Sequence, residues 1–343
     1  MIDVFTSQPH YIAHLAGIWA ALPAESRGRF YVAGRVADQP NVWGVDGWRI
    51  GYPTPGPTPT LVAGYCDEVS LGRPVIYLEH GAGQTYPGDP RAADHPAYNG
   101  TPGHERVALF LCPNDTVACR WRRRYPQTPA VAVGSPKMDA WHKDPGAGRR
   151  GAQTPTAAIA FHSDNRICPE TVTAFRHYES GLAAAVAELR AAGWGIVGHG
   201  HPRLWATMDP FWRSIGVEPV EDFGEVLARA HILAADNTSV LPEFASTGRP
   251  VVWMNAPWYR RNVHHGGRFW EWPAGQVTVD APEELAAAIV DGHSDTDAAR
   301  AARAAMVEAV YMAADGMATR RAVAAIAQYA PGPPPGPYAG RQR

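Results

Sequence analysis

The side chains best suited to acid–base chemistry in this sequence are histidines that follow apolar runs. In the segment VIYLEHGAGQTY, residues 75–86, His80 and Gly81 stand at the end of a predicted strand. An imidazole titrates near neutral pH and can take a proton from a hydroxyl group, and glycine lets the backbone turn tightly close to a ligand. His80 is therefore a candidate general base. The alternative is a loop histidine that only caps the strand.

A second histidine segment, GWGIVGHGHPRL, covers residues 193–204. His199 and His201 alternate along it, so they point to opposite sides of an extended chain. Arg203 is placed to support a phosphate group. A zinc pair would need a third ligand at suitable spacing, and none is obvious, so we predict no metal site. Whether His199 is structural or functional stays open at this point.

The segment HILAADNTSVLPEFASTGRPVVWM, residues 231–254, predicts a strand, a polar turn, a short helix and a second strand. The turn carries Asp236, Asn237, Thr238 and Ser239. Backbone N–H groups at a helix N-terminus favour an anion, and open α/β sheets bind ligands beyond the carboxyl ends of their strands. We therefore predict a phosphate site here, compatible with ordinary helix capping by the same side chains. Glu243 on the following helix is a candidate ribose contact.

Two basic segments remain. WRRRY, residues 121–125, is most simply a solvated helix face. YRRNVHHGGRFW, residues 259–270, places Arg260, Arg261 and His264 among aromatic rings, which suits a phosphorylated or stacked ligand. These three residues are candidate acceptor or phosphate contacts, with a basic contact between domains as the alternative.

Apolar runs alternate with helix-like stretches throughout, as is typical of a parallel α/β protein. A segment rich in Gly, Pro and charge around residues 142–155 interrupts this pattern and predicts a linker. We assign residues 1–142 to an N-terminal Rossmann-like acceptor domain, 143–155 to the linker and 156–330 to a C-terminal Rossmann-like nucleotide-donor domain. The Pro/Gly-rich tail, 331–343, is predicted to be disordered. The expected architecture is two facing Rossmann-like domains with an interdomain cleft.

The predicted strands cover residues 2–5, 29–32, 60–63, 74–78, 107–111, 130–133, 157–161, 195–198, the neighbourhood of 217, 232–235, 251–254 and 276–279. The predicted helices cover residues 10–22, 114–125, 170–192, 223–230, 240–246 and stretches of 282–328.

Composition excludes several classes of protein. The net charge of −2 over 343 residues gives no general attraction to nucleic acid or acidic membranes. The four cysteines have no C-x-x-C spacing, which indicates reduced thiols and a cytoplasmic protein. The N-terminus is not typical of a signal peptide, and no apolar run reaches the ~18 residues of a transmembrane helix.

The ordered set of motifs resembles the CDP-glycerol glycerophosphotransferase family, which builds teichoic-acid-type polymers. The set is H-G after the first-domain strand, G-S-P-K-M-D (134–139), H-P in the second domain, and D-N-T-S-V-L-P-E-F-A-S-T-G-R-P-V-V. The resemblance implies the GT-B fold. It implies that His80 is the base, that His201 supports the donor phosphates, and that the 236–239 turn binds phosphate through hydroxyl groups.

The sequence departs from the family pattern in two places. Where the family has a D-Y-S-S turn, this sequence reads D-N-T-S: Asn237 replaces the tyrosine and Thr238 replaces a serine. The H-G motif continues as A-G-Q-T-Y instead of T-P-L-K. In the turn, threonine keeps the hydroxyl group of the serine, whereas asparagine lacks the aromatic ring of the tyrosine. The different residues after the H-G motif lie on the side expected to bind the acceptor.

We therefore expect a metal-independent transferase without a cofactor, with a CDP-glycerol-like nucleotide-diphosphate donor and an acceptor hydroxyl. The acceptor is a polymer, a glycan or, less favoured, a nucleic acid. A nucleotide-sugar glycosyltransferase acting on a glycan or a modified nucleic-acid base is the first alternative. A sugar-nucleotide epimerase and a non-enzymatic nucleotide-binding module are the others.

Overall fold

The computed structural model describes residues 1–34, 45, 47–64, 72–80, 106–147, 154–164, 172–259 and 277–329. Within these ranges the chain forms two β-sheets, and every strand pair in both sheets is parallel. The chain divides into two compact units, with a boundary between Asp139 and Ala140.

The first unit is built on a seven-stranded sheet in the order β3-β2-β1-β4-β5-β6-β7. Its strands are β1 (Ile2–Thr6), β2 (Arg27–Val32), β3 (Arg49–Ile50), β4 (Thr60–Val62), β5 (Val75–Leu78), β6 (Val107–Cys112) and β7 (Ala130–Ala132). β1, β4 and β5 are buried along their whole length, as expected for strands covered on both faces. Because both faces of these strands are buried, their sequences are continuous apolar runs.

Helices α1 (Pro9–Ala21) and α2 (Asp115–Arg124) follow β1 and β6. A proline opens α1, and the Asn114 side chain caps α2 by accepting the Val117 N–H at 2.9 Å. After β7 the chain forms a 3₁₀ turn (Pro136–Met138) and the short helix α3 (Asp139–Lys143).

The second unit has a six-stranded sheet in the order β10-β9-β8-β11-β12-β13. Its strands are β8 (Thr156–Phe161), β9 (Gly195–Gly200), β10 (Glu218–Pro219), β11 (Ile232–Ala235), β12 (Val251–Met254) and β13 (Val277–Val279). The helices are α4 (Phe175–Ala191), α5 (Trp205–Ser214), α6 (Phe223–Arg229), α7 (Val240–Ala245), α8 (Leu285–His293) and α9 (Asp297–Tyr311), with 3₁₀ turns at Pro202–Leu204 and Pro282–Glu284.

Each sheet reverses its strand order at one place. β1 lies between β2 and β4, and β8 lies between β9 and β11. At such a topological switch point the loops after neighbouring strands lead to opposite faces of the sheet and leave a crevice, where open parallel sheets bind ligands. The strand order therefore predicts one ligand-binding crevice at the carboxyl edge of each sheet.

The last helix, α10 (Ala318–Tyr329), belongs to the first unit, whereas the sequence assigned residues 156–330 to the second domain. The Asp139 carboxylate accepts the N–H groups of Ala318 at 2.9 Å and Thr319 at 2.7 Å, which fixes the start of the helix. Its apolar face, with Ala322 and Ile326, completes the core of the first unit. Burial of this face requires the first sheet, so local sequence did not predict the placement.

The other domain limits stay predictions, because part of the 143–155 linker and the whole 331–343 tail lie outside the described residues. In the part of the chain that is described, no helix is both long and apolar enough to span a bilayer. Cys112 and Cys119 are free thiols.

Candidate active site

Asp236 organises the carboxyl edge of the second sheet. It follows β11, and its buried carboxylate accepts three hydrogen bonds: from His162 N–H at 2.8 Å, from Ala174 N–H at 2.8 Å and from the Thr173 hydroxyl at 3.2 Å. His162 follows β8, and the other two donors precede α4. One carboxylate therefore joins the loops on both sides of the switch point between β8 and β11.

Burial raises the pKa of Asp236 to about 7, against the opposing effect of the hydrogen bonds from Ala174, His162 and Thr173. The folded pKa thus lies above the unfolded value of about 3.9. A carboxyl group shifted in this direction stabilises the fold at low pH, and that contribution is lost as the pH rises from about 4 through about 7.

We expect the stability of the wild type, relative to Asp236→Asn, to fall between pH 5 and pH 8. The asparagine does not titrate, and its amide sets an N–H₂ group against a backbone N–H, so the variant is also less stable overall. Urea unfolding of both proteins at each pH measures the difference. Asp291→Asn, at an exposed position in α8, should run parallel to the wild type. Parallel curves for Asp236→Asn as well would contradict the shifted pKa.

The residues after Asp236 present polar groups at the same edge. Within the described residues, the hydroxyls of Thr238 and Ser239 make no hydrogen bond, and neither amide atom of Asn237 has a partner although that residue is only 1% exposed. The Thr238 N–H is not free, since it donates to the Asp236 carbonyl at 2.8 Å. The hydroxyl groups are thus the available donors.

The capping interpretation of this turn is wrong for Ser239, whose side chain makes no capping bond to α7. That helix has only six residues, so its dipole is a small contribution to anion binding. Any phosphate bound here would be held mainly by side-chain hydroxyls and neighbouring histidines.

His162 and His201 lie beside the turn at the ends of β8 and β9. Their rings meet edge to face with centroids 4.9 Å apart. Burial lowers the pKa of His162 to about 4; the Ser163 carbonyl, 2.6 Å from its Nδ1, opposes this effect and the Arg203 charge reinforces it. His162 is therefore neutral at pH 7. The Nδ1 of His201 accepts the Arg203 N–H at 3.1 Å, which leaves Nε2–H as the donor in the neutral ring.

Three other predicted residues differ in exposure. His199 is buried, and its Nδ1 is bonded to the Val220 carbonyl at 2.8 Å, so its role is structural. The Arg203 side chain is exposed. Arg203 and His199 thus have different surroundings from those of Glu243.

Glu243 is buried, at 2% exposure. Its charge acts on the Tyr311 hydroxyl, whose pKa is raised by burial first and by Glu243 second. The ribose contact of Glu243 stays a prediction.

In the first unit, His80 follows β5 at the carboxyl edge of the sheet. Glu79 next to it turns toward α2, where its carboxylate pairs with Arg120 at 2.7 Å and accepts the Trp121 indole N–H. His80 instead contacts α1, with its ring centroid 4.3 Å from that of Tyr11. The strand therefore presents acid and imidazole to different helices.

Sequence reasoning missed His10, His14 and His162, all of which the structure places beside predicted site residues. Two signals existed. His162 directly follows a predicted strand, and His10 and His14 are four residues apart on a predicted helix, hence on one face.

Gly81, Arg260, Arg261 and His264 lie outside the described residues. In the described ranges, no group of three His, Cys, Asp or Glu side chains could hold a metal ion. The expectations of a metal-independent reaction and of no cofactor remain predictions.

Residues 200–328, which include His201, the polar turn and α7, match the family described as CDP-Glycerol:Poly(glycerophosphate) glycerophosphotransferase. The match covers less than half of the chain, and over these residues the sequence is similar to that family. The resemblance predicted from the motifs is confirmed, and the chain is a transferase that uses a nucleotide-diphosphate donor.

Solved structures show the fold of this transferase. The wall teichoic acid polymerase TagF, in a structure soaked with CDPG, is 12% identical with a TM-score of 0.65, covering 95% of this chain and 88% of the other. UDP-GlcNAc 2-epimerase from Neisseria meningitidis, bound to UDP-GlcNAc, is 13% identical with a TM-score of 0.57, covering 95% and 99%. The S. aureus MnaA–UDP structure is 15% identical with a TM-score of 0.61, covering 96% of each chain.

At such identities the likeness shows the fold alone, and it confirms the predicted GT-B class. No curated protein matches the sequence.

Proposed function

We propose that the chain transfers a polyol phosphate from a CDP-glycerol-like donor to the hydroxyl group of a polyol-phosphate polymer. One observation carries this proposal. The family match over residues 200–328 falls mainly on the second unit, whose strand ends gather His162, His201 and the 236–239 turn, and only its last part reaches α10 of the first unit. The donor therefore binds to the second unit.

On the donor side, the hydroxyls of Thr238 and Ser239 donate to the phosphate oxygens, together with Nε2–H of His201. Hydrogen bonds to a charged oxygen are about twice as strong as neutral ones. As the acceptor oxygen bonds to the β-phosphorus, the bond from that phosphorus to the bridging oxygen breaks and CMP leaves. These donors neutralise the charge that develops on the leaving phosphate.

On the acceptor side, His80 takes the proton from the attacking hydroxyl. A positioned general base of this kind typically contributes 10²–10⁴-fold to the rate. The assignment has two supports: the position of His80 at the carboxyl edge of the first sheet, and the H-G motif. Whether His80 and His201 face one cleft from opposite walls stays a prediction.

A donor panel tests the proposal. CDP-glycerol, CDP, UDP-GlcNAc, UDP-glucose and GDP-mannose are each added to the protein, and the melting temperature is measured. A ligand that binds only the native state raises it by mass action, so CDP-glycerol and CDP should give the largest shifts. CMP release should then require CDP-glycerol together with a glycerol-phosphate acceptor. A shift with UDP- or GDP-sugars alone would indicate the nucleotide-sugar glycosyltransferase instead.

A second candidate function is supported by the likeness to the UDP-GlcNAc 2-epimerase from Neisseria meningitidis. An epimerase needs a donor and no acceptor, so incubation with UDP-GlcNAc alone separates the two reactions. Conversion of UDP-GlcNAc to its epimer would overturn the transferase proposal. Binding without turnover of any donor would point to a nucleotide-binding module.

A further inference from the structure

His162 presents a hydrogen-bond acceptor at the carboxyl edge of the second sheet. It follows β8, it is half-buried, and its Nδ1 lies 2.6 Å from the Ser163 carbonyl oxygen. Because a carbonyl oxygen can only accept, Nδ1 carries the proton, and Nε2 of the neutral ring keeps its lone pair. Within the described residues no group donates to this Nε2. The ring is therefore fixed with an acceptor atom still available.

The groups beside His162 have the opposite polarity. The His201 ring, whose centroid is 4.9 Å away, presents Nε2–H, and the hydroxyls of Thr238 and Ser239 can also donate. A phosphate oxygen at neutral pH has lone pairs and accepts from all of these groups, but the lone pair of His162 repels it. Burial holds the pKa of His162 at about 4, so the ring stays neutral and does not become a second donor. His162 therefore requires a partner that donates.

Asn237 stands on the strand end next to that of His162. β8 and β11 pair with Ala160 opposite Ala235, and both residues lie two positions beyond that pair. The backbone N–H of His162 donates to the carboxylate of Asp236, the residue before Asn237, at 2.8 Å. Asn237 is 1% exposed, and in the described part of the chain neither its amide nitrogen nor its amide oxygen has a partner. A buried amide in this state lowers stability unless a ligand or a water satisfies it.

The two side chains together define the chemistry of a partner. A phosphate oxygen would satisfy the amide nitrogen of Asn237 but would leave the amide oxygen and the His162 Nε2 without a donor. A hydroxyl group both donates and accepts. Two neighbouring hydroxyls can donate to the two acceptor atoms, while one of their oxygens accepts from the amide nitrogen. A CDP-polyol carries such pairs on its polyol and on its ribose.

We propose that His162 and Asn237 form a hydroxyl-binding subsite, which holds a vicinal pair of donor hydroxyl groups while Thr238, Ser239 and His201 bind the phosphates. The inference rests on the proposed function, since it takes a CDP-polyol as the donor. The subsite lies outside the reacting bond and contributes affinity and specificity.

The first test removes the acceptor atom of His162. Calorimetry measures the affinity of the full chain for CDP-glycerol, for CDP and for dideoxy-CDP, which lacks the ribose hydroxyls. His162→Asn keeps an N–H group at the Nδ1 position for the Ser163 carbonyl and removes Nε2. Its affinity for CDP-glycerol should fall about 2- to 10-fold, the effect of one neutral hydrogen bond. His162→Gln, whose amide reaches the Nε2 position, should recover part of the affinity.

A matched control is His231→Asn, the same change before β11 at the amino edge of the same sheet. It should bind all three ligands like the wild type.

The second test removes the amide of Asn237. Asn237→Leu has nearly the same volume and breaks no hydrogen bond of the described residues, so the ligand-free protein should melt at or above the wild-type temperature. Affinity for CDP-glycerol should fall about as much as in His162→Asn. A lower melting temperature with unchanged affinity would show a structural amide and overturn the proposal. If leucine does not fit, Asn237→Ala gives the same comparison without its bulk.

The three ligands separate the two sources of hydroxyl groups. If the variants lose affinity for CDP-glycerol and not for CDP, the subsite binds the polyol. If they lose affinity for both and not for dideoxy-CDP, it binds the ribose. Equal loss for all three ligands, or no loss for any, overturns the subsite.

CMP release measures turnover separately. If the wild type transfers nothing from any donor and the variants still lose affinity selectively, the subsite stands and the proposed function fails. If the wild type transfers glycerol phosphate and both variants bind CDP-glycerol as tightly as it does, the function stands and this inference is overturned.

Discussion

Replacing His80 with glutamine is expected to lower turnover by roughly 10²–10⁴-fold, the usual effect of losing a general base. Donor affinity should be largely unchanged, because the donor-binding groups lie in the second unit at the ends of β8, β9 and β11. Initial rates of CMP release and calorimetric binding of CDP-glycerol measure the two quantities separately.

A matched control is His293→Gln, which changes an exposed histidine at the end of α8. It should leave both rate and affinity at wild-type values. If His80→Gln turns over normally with an established donor and acceptor, another group is the base. If it loses donor affinity in proportion to rate, His80 binds donor instead.

The second large effect is expected at the polar turn. Changing Thr238 and Ser239 together to alanine should weaken CDP binding by more than about 10-fold, because each hydrogen bond to a charged group contributes roughly 1.5–3 kcal/mol. Cytidine, which lacks the phosphates, should bind about as before. Since neither hydroxyl has a partner within the described residues, alanine leaves no buried group unsatisfied there.

Calorimetry with CDP and cytidine gives the comparison. Thr207→Ala, an exposed hydroxyl on α5, is the control and should bind both ligands like the wild type. Equal loss of CDP and cytidine in the double variant would show that the turn is structural and that the phosphate site lies elsewhere.

Most of the secondary structure could be predicted from local sequence. β11 and β12 occur at the predicted residues, 232–235 and 251–254, because a short apolar run between turn residues specifies a buried strand by itself. The helix α5 was missed. It contains Pro210, which removes a backbone donor and argues against a helix wherever packing is unknown.

The start of α4 shows how tertiary contacts override local preference. The sequence predicted a helix from residue 170, whereas α4 begins at Phe175. The preceding residues, Thr173 and Ala174, donate instead to the Asp236 carboxylate. That partner is about sixty residues away in sequence, so no local pattern could place the boundary.

The sequence by itself determined the α/β class, the family resemblance and the principal motifs: the H-G pair at His80, the H-P pair at His201 and the turn after β11. Each depends on a few adjacent residues. Only the tertiary structure decided which side chains meet, because strand order brings together loops that are distant in the chain. It placed His162 against His201, put α10 in the first unit, and brought His10 and His14 of α1 close to His80.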